Sequence, residues 1–125
     1  MYKILVIDDD PTGTQLLLTL LKLEGYQGAK LENWADPLGD VQAQRPDLVI
    51  MDVHLVTEDG FDLLSQIRDH SDPRLASLPV LMMSAEDLGA HSLSIGANGF
   101  VEKPFDIEIL LGTIREIMEG SLSED

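Results

Sequence analysis

Cysteine is absent from the 125 residues, which excludes disulfides, thiolate metal sites and cysteine nucleophiles and points to a reducing compartment. Basic side chains are scarce: 8 Lys plus Arg stand against 23 Asp plus Glu, a formal charge of −15. A surface this acidic repels phosphate backbones and anionic lipid, so direct contact with nucleic acid or a membrane is not expected. Long apolar runs are missing too. The longest, Leu16 to Leu23, is broken by Thr19 and Lys22 and falls far short of the ~18 residues a membrane span needs. Met1-Tyr2-Lys3 leads through a short apolar run straight into Asp8, so no signal peptide is expected. A soluble, cytoplasmic chain is the resulting expectation.

What is present reads as one globular domain, with 44% apolar and 25% charged residues. Short apolar runs alternate with longer helical patterns. Ile4-Leu5-Val6-Ile7 reads as a buried strand stopped by Asp8-Asp9-Asp10-Pro11. A helix from Pro11 to Glu24 follows, its leucines Leu16, Leu17, Leu20, Leu21 and Leu23 forming the apolar face, with Gly25 as its stop. A weak strand at Gly28–Glu32 and a weak helix at Asp36–Gln44 come next. Leu48-Val49-Ile50-Met51 is a strand ending at Asp52, and the following helix turns Phe61, Leu63, Leu64 and Ile67 inward. Pro73 to Pro79 reads as a connection, Val80–Met83 as a strand ending at Ser84, and Glu86–Ile95 as a helix. Phe100-Val101 is a short strand before Lys103-Pro104. A last helix, Asp106–Glu119, turns Ile107, Leu110, Leu111, Ile114, Ile117 and Met118 inward. Strands apolar on both faces, alternating with helices, require a parallel sheet covered on both sides. Right-handed crossovers then make a doubly wound five-stranded α/β domain, whose ligands bind at the carboxyl ends of the strands. Residues 1–119 form that domain, and 120–125 read as a C-terminal tail or the start of a linker.

Chemistry concentrates at those strand ends. The first strand delivers Asp8 and Asp9, the third Asp52, the fourth Ser84 and the fifth Lys103. Crowded carboxylates repel one another and favour a hard divalent cation, and Mg²⁺ suits oxygen ligands. A metal neutralising two of them leaves the third free to attack a phosphoryl group, with Lys103 and Ser84 as donors to its oxygens. Taken singly, each residue has a plainer reading: the Asp8–Asp10 run a turn and helix cap, Asp52 a loop acid, Ser84 a helix cap, Lys103 a surface lysine. Their joint placement at four strand ends is what carries the functional reading.

The segments Ile4–Asp10, Pro46–Asp52 with Asp59-Gly60, Pro79–Ala85 and Gly96–Phe105 resemble the receiver domain of two-component response regulators, in order and over essentially the whole chain. That resemblance implies a flavodoxin-like (βα)5 fold. It implies Asp52 as phosphoacceptor from a sensor histidine kinase or phosphotransfer protein. Mg²⁺ would be held by Asp8, Asp9, Asp52 and the backbone carbonyl of His54. Ser84 and Lys103 would bind the phosphoryl oxygens, and the Lys103–Pro104 bond would be cis. It also implies a switch that couples Ser84 to Phe100 and remodels the face of the fourth helix, fifth strand and fifth helix for an output domain, a partner protein or a second copy of the chain. No turnover of an external substrate is implied, only self-promoted phosphotransfer and dephosphorylation.

Some positions depart from the family pattern. Val56 stands where the family commonly has Pro, Phe100 lacks the hydroxyl of Tyr, and Ser84 replaces the commoner Thr. His54 and Glu86 flank the acceptor at variable positions that tune phosphoryl lifetime. His54, His70 and His91 make no metal-ligand pattern and read as surface or site-rim residues, Trp34 reads as partial core or helix packing, and Gly96 and Gly99 make no nucleotide fingerprint. Two other functions stay open. Asp8-Asp9-Asp10 also resembles the Asp-x-Asp of haloacid-dehalogenase-like phosphatases, with Asp8 as nucleophile and Asp10 as acid/base. A receiver-shaped module that binds partners without phosphorylation is the other.

Overall fold

The computed structural model describes residues 1–123, with side chains described through residue 120. Its five strands are β1 (Lys3–Ile7), β2 (Gln27–Lys30), β3 (Leu48–Asp52), β4 (Val80–Ser84) and β5 (Gly99–Glu102). They form one sheet in the order β2-β1-β3-β4-β5, every pairing parallel. The helices are α1 (Pro11–Leu23), α2 (Pro37–Gln44), α3 (Gly60–Arg68), α4 (Pro73–Ala76), α5 (Gly89–Ser94) and α6 (Ile107–Ser123). Among the described residues no helix is long and apolar enough to cross a membrane. The doubly wound sheet expected from the alternating runs is the fold observed.

Strand residues divide between two cores because successive side chains point to opposite faces. Leu5, Ile7, Val49, Met51 and Met82 pack with Val41 of α2 and Leu63, Leu64 and Ile67 of α3. Ile4, Val6, Leu48, Ile50, Leu81 and Met83 pack with Leu17 and Leu21 of α1 and Leu110, Leu111, Ile114 and Met118 of α6.

Part of the acidic surplus is structural. Five helices open on an aspartate that accepts a backbone N–H of the first turn: Asp10, Asp36, Asp59, Asp72 and Asp106. In α1, α2 and α4 a proline follows that cap, its fixed φ suited to the first helical position. The segment after Asp72, expected as a plain connection, is therefore the short helix α4. The face expected at the fourth helix, fifth strand and fifth helix is accordingly α5–β5–α6 here.

Two expectations about side chains fail. Of the α1 leucines only Leu17 and Leu21 are buried, Leu20 is partly covered, and Leu16 and Leu23 are 52% and 77% exposed. A helix laid on one sheet face covers a stripe spaced by one turn, not every leucine on that side. Ile107 keeps the spacing of the α6 stripe but is 46% exposed, because the first turn stands at the sheet's rim. That helix continues to Ser123, past the expected end at Glu119, and residues 124–125 lie outside the described residues.

Candidate functional site

The parallel register levels the strand ends: Ile7 is opposite Met51, Asp52 opposite Met83, and Ser84 opposite Glu102. After β1 the chain moves to one side of the sheet, and after β2 it returns to the other side of β1. This reversal opens a crevice between the ends of β1 and β3, where Asp8, Asp9 and Asp52 emerge.

Lys103 joins the two strands electrostatically. Its Nζ lies 2.8 Å from Asp52 Oδ2 and 3.6 Å from Asp8 Oδ2. Asp8 is buried, with Oδ1 accepting the Asp10 amide at 3.0 Å. The Thr14 hydroxyl donates to its backbone carbonyl at 2.9 Å. Burial pushes the Asp8 carboxyl above its ordinary value, and the neighbouring Asp52 charge adds to this; the Asp10 N–H and Lys103 oppose it. Burial pulls the Lys103 ammonium down, but its hydrogen bond to Asp52 and the charges of Asp52 and Asp8 outweigh that and hold it above the usual lysine value. Gly13 leaves room for the acids, since a Cβ there would sit 3.2 Å from a carboxylate oxygen of both Asp8 and Asp10.

The other predicted residues surround this core of three. Asp9 turns away, its Oδ2 accepting the Val56 amide from the loop after β3. Among the described residues no three acids or histidines are gathered closely enough to hold a metal ion as they stand. Ser84 is fully buried and its hydroxyl oxygen accepts the Glu86 amide at 3.1 Å, while its carbonyl accepts the Lys103 amide at 2.8 Å. Asp52 Oδ1 accepts the His54 amide at 3.3 Å. Phe100 is half-buried against Gly89, where an added Cβ would lie 3.3 Å from the ring. The Lys103–Pro104 bond is cis. Asp10, the acid/base of the phosphatase-like reading, uses Oδ1 to accept the Thr12 amide and cap α1.

Several contacts were invisible in the sequence. His54 Nε2 and Glu86 Oε1 meet at 2.7 Å across the mouth of the site. Gly60 presses on the end of β3 so closely that a Cβ would stand 2.3 Å from the Asp52 carbonyl oxygen. Its signal was the glycine after Asp59, where the reason for glycine is a close approach rather than a turn. Beside Lys103 a recess of about 400 Å³ opens between α1 and the segment after β5, bordered by Leu16, Met83 and Phe105. His91 is exposed, as expected of a surface histidine, and lies edge-on to Phe61 with centroids 4.8 Å apart.

Comparison with known proteins matches this arrangement to a family. The response regulator receiver domain model covers residues 4–115. The chain is 35% identical to the transcriptional regulatory protein KdpE of Staphylococcus aureus over 92% of its own length but only 49% of that protein. It is 31% identical to protein PilH of Pseudomonas aeruginosa over 96% of this chain and 100% of PilH. The structure of chemotaxis response regulator CheY4 of Vibrio cholerae superposes with a TM-score of 0.82 at 28% identity, covering 94% of this chain and 98% of CheY4. So the chain spans about half of one relative and the whole of another. Strand order, rim carboxylates and lysine agree with a match over nearly all the residues, and the chain belongs to the receiver domains of two-component response regulators.

Proposed function

We propose that the chain is a phosphorylation-controlled switch with Asp52 as acceptor. Its family works with sensor histidine kinases or phosphotransfer proteins, so the donor is a phosphohistidine. A carboxylate oxygen of Asp52 attacks phosphorus, a P–O bond forms as the N–P bond breaks, and the bonding pair leaves with the imidazole nitrogen.

Two anions must approach for this, and a single ammonium, Lys103, faces the carboxylates of Asp8 and Asp52. Mg²⁺ fits the remaining deficit: the donors are hard oxygens, and the ion keeps several waters and so needs few protein ligands. Asp8, Asp9, Asp52 and the His54 backbone carbonyl would hold it, Asp9 after releasing the Val56 amide. When bound, the ion offsets charge on the acceptor and on the phosphoryl oxygens. Lys103 orients Asp52 and then pairs with the transferred group. Ser84 exchanges the Glu86 amide for a phosphoryl oxygen, to which its hydroxyl donates. That movement makes room for the Phe100 ring and reshapes the α5–β5–α6 face for an output domain, a partner or a second copy. Both shapes pre-exist, and the phosphoryl group biases them. The His54–Glu86 pair stands over the approach of water and donor.

The observation that carries this reading is the Lys103 ammonium held between Asp52 and Asp8 at the reversal point of the sheet. Incubation with acetyl phosphate and Mg²⁺ adds one phosphoryl group by intact mass, and Asp52→Asn or chelation abolishes it. Labelling or phosphomonoester hydrolysis that survives in Asp52→Asn moves the chemistry to Asp8. Partner capture indifferent to beryllofluoride marks a phosphate-independent module. Sedimentation with and without that mimic reads self-association.

A further inference from the structure

The two ends of α5 are built differently. Five helices open on a capping aspartate, whereas α5 opens on Leu88 with no side-chain cap. The approach from β4, Ala85 to Asp87, is exposed. At the other end Arg68, on the last turn of α3, reaches across with every arm engaged. Nε donates to the Gly96 carbonyl at 2.8 Å, and Nη2 donates to Asn98 Oδ1 at 2.8 Å. Nη1 donates to the carbonyls of Ala76 at 3.1 Å and Leu78 at 2.7 Å. Asn98 extends the clamp, its Oδ1 accepting the Val80 backbone N–H at 2.9 Å and its own backbone N–H donating to the Val80 carbonyl at 2.8 Å. Gly96, at φ +109, lies so close that a Cβ would meet Arg68 at 3.2 Å. These partners are carbonyl oxygens rather than carboxylates, so neither salt nor acid releases them.

We propose that Arg68 is the fixed pivot of the switch: it holds the carboxyl end of α5 and the foot of β5, so that within α5 the response to a phosphoryl group is confined to the uncapped amino-terminal turn. The driving step rests on the phosphoacceptor reading above; the clamp does not. Gly89 and Phe100 meet at the free end, where the ring turns once Ser84 moves, while Ala97 and Asn98 stay put. Arg68 is a positioning residue here, far from the reacting atoms.

Residue-resolved amide exchange and chemical-shift mapping with and without beryllofluoride and Mg²⁺ test the pivot. In the wild-type chain the mimic shifts Ala85 to His91 and leaves Ala97 and Asn98 in place. Arg68→Lys keeps the charge but loses the fork, so Ala97 and Asn98 exchange at least about tenfold faster in the free protein, and the mimic's effect spreads into them. Arg74→Lys, which disturbs other carbonyl contacts at Arg45 and Pro46, leaves that pattern unchanged; loss of packing alone would alter both variants alike. Unchanged exchange in Arg68→Lys overturns the clamp. A wild-type response that reaches Ala97 and Asn98 overturns the pivot while sparing the acceptor. No response to the mimic anywhere overturns the acceptor reading and the pivot with it, whereas the exchange comparison still decides the clamp.

Discussion

The two edges of the sheet solve opposite problems. At the amino edge the cations take neutral oxygens: Lys3 the Gln44 carbonyl, Arg74 those of Arg45 and Pro46, and Arg68 three carbonyls and the Asn98 amide. At the carboxyl edge Asp8 and Asp52 share one lysine, and burial holds Asp8 above its usual titration range. Groups at the first edge are satisfied, while those at the second are left in deficit. The difference locates function where the fold tolerates unbalanced charge and stability where it does not.

The sharpest way to break this contrast is Lys103→Ala. It leaves Asp8 and Asp52 without their cation and is expected to destabilise the fold by roughly 2–4 kcal/mol in denaturant titrations. Labelling by acetyl phosphate is expected to fall by at least about a hundredfold. At the opposite edge Asn98→Ala leaves the Val80 amide and one arm of Arg68 without an acceptor. It is expected to cost roughly 1–3 kcal/mol in the same titration with labelling of Asp52 unchanged.

Asp8→Asn runs the other way. A carboxyl with a raised folded-state pKa favours the fold when protonated; that contribution is complete below the ordinary 3.8 and is lost as pH climbs through the raised value. At neutral pH the metal-free chain therefore holds Asp8 ionised at a cost. Calorimetry should show Asp8→Asn melting roughly 2–4 °C higher, with the gain shrinking toward about pH 4 as the wild-type residue protonates, while Mg²⁺-dependent labelling is lost. A lower melting point at neutral pH would remove the claim that charge is unbalanced at this edge. The smallest expected effect is Glu86→Ala. Its pair with His54 is exposed on both sides, at 62% and 64%, so stability should move by no more than about 0.5 kcal/mol. Phosphate release should nonetheless change; an unaltered rate dismisses the pair as a guard of the site.

Local pattern determined most of the architecture. Four-residue apolar runs such as Ile4–Ile7 and Val80–Met83 can be buried on both faces only in a covered parallel sheet. The polar residue that ends each run then falls at a common rim whatever the chain between them does. Asp8, Asp52, Ser84 and Lys103 were legible for that reason. Tertiary structure alone decided which α1 leucines met the sheet, that Asp9 turned to the Val56 amide, and that Arg68 closed on Gly96 and Asn98. The last two depend on contacts between segments 28 to 47 residues apart in the chain, and periodicity reports which face of an element is apolar, not which neighbour comes to meet it.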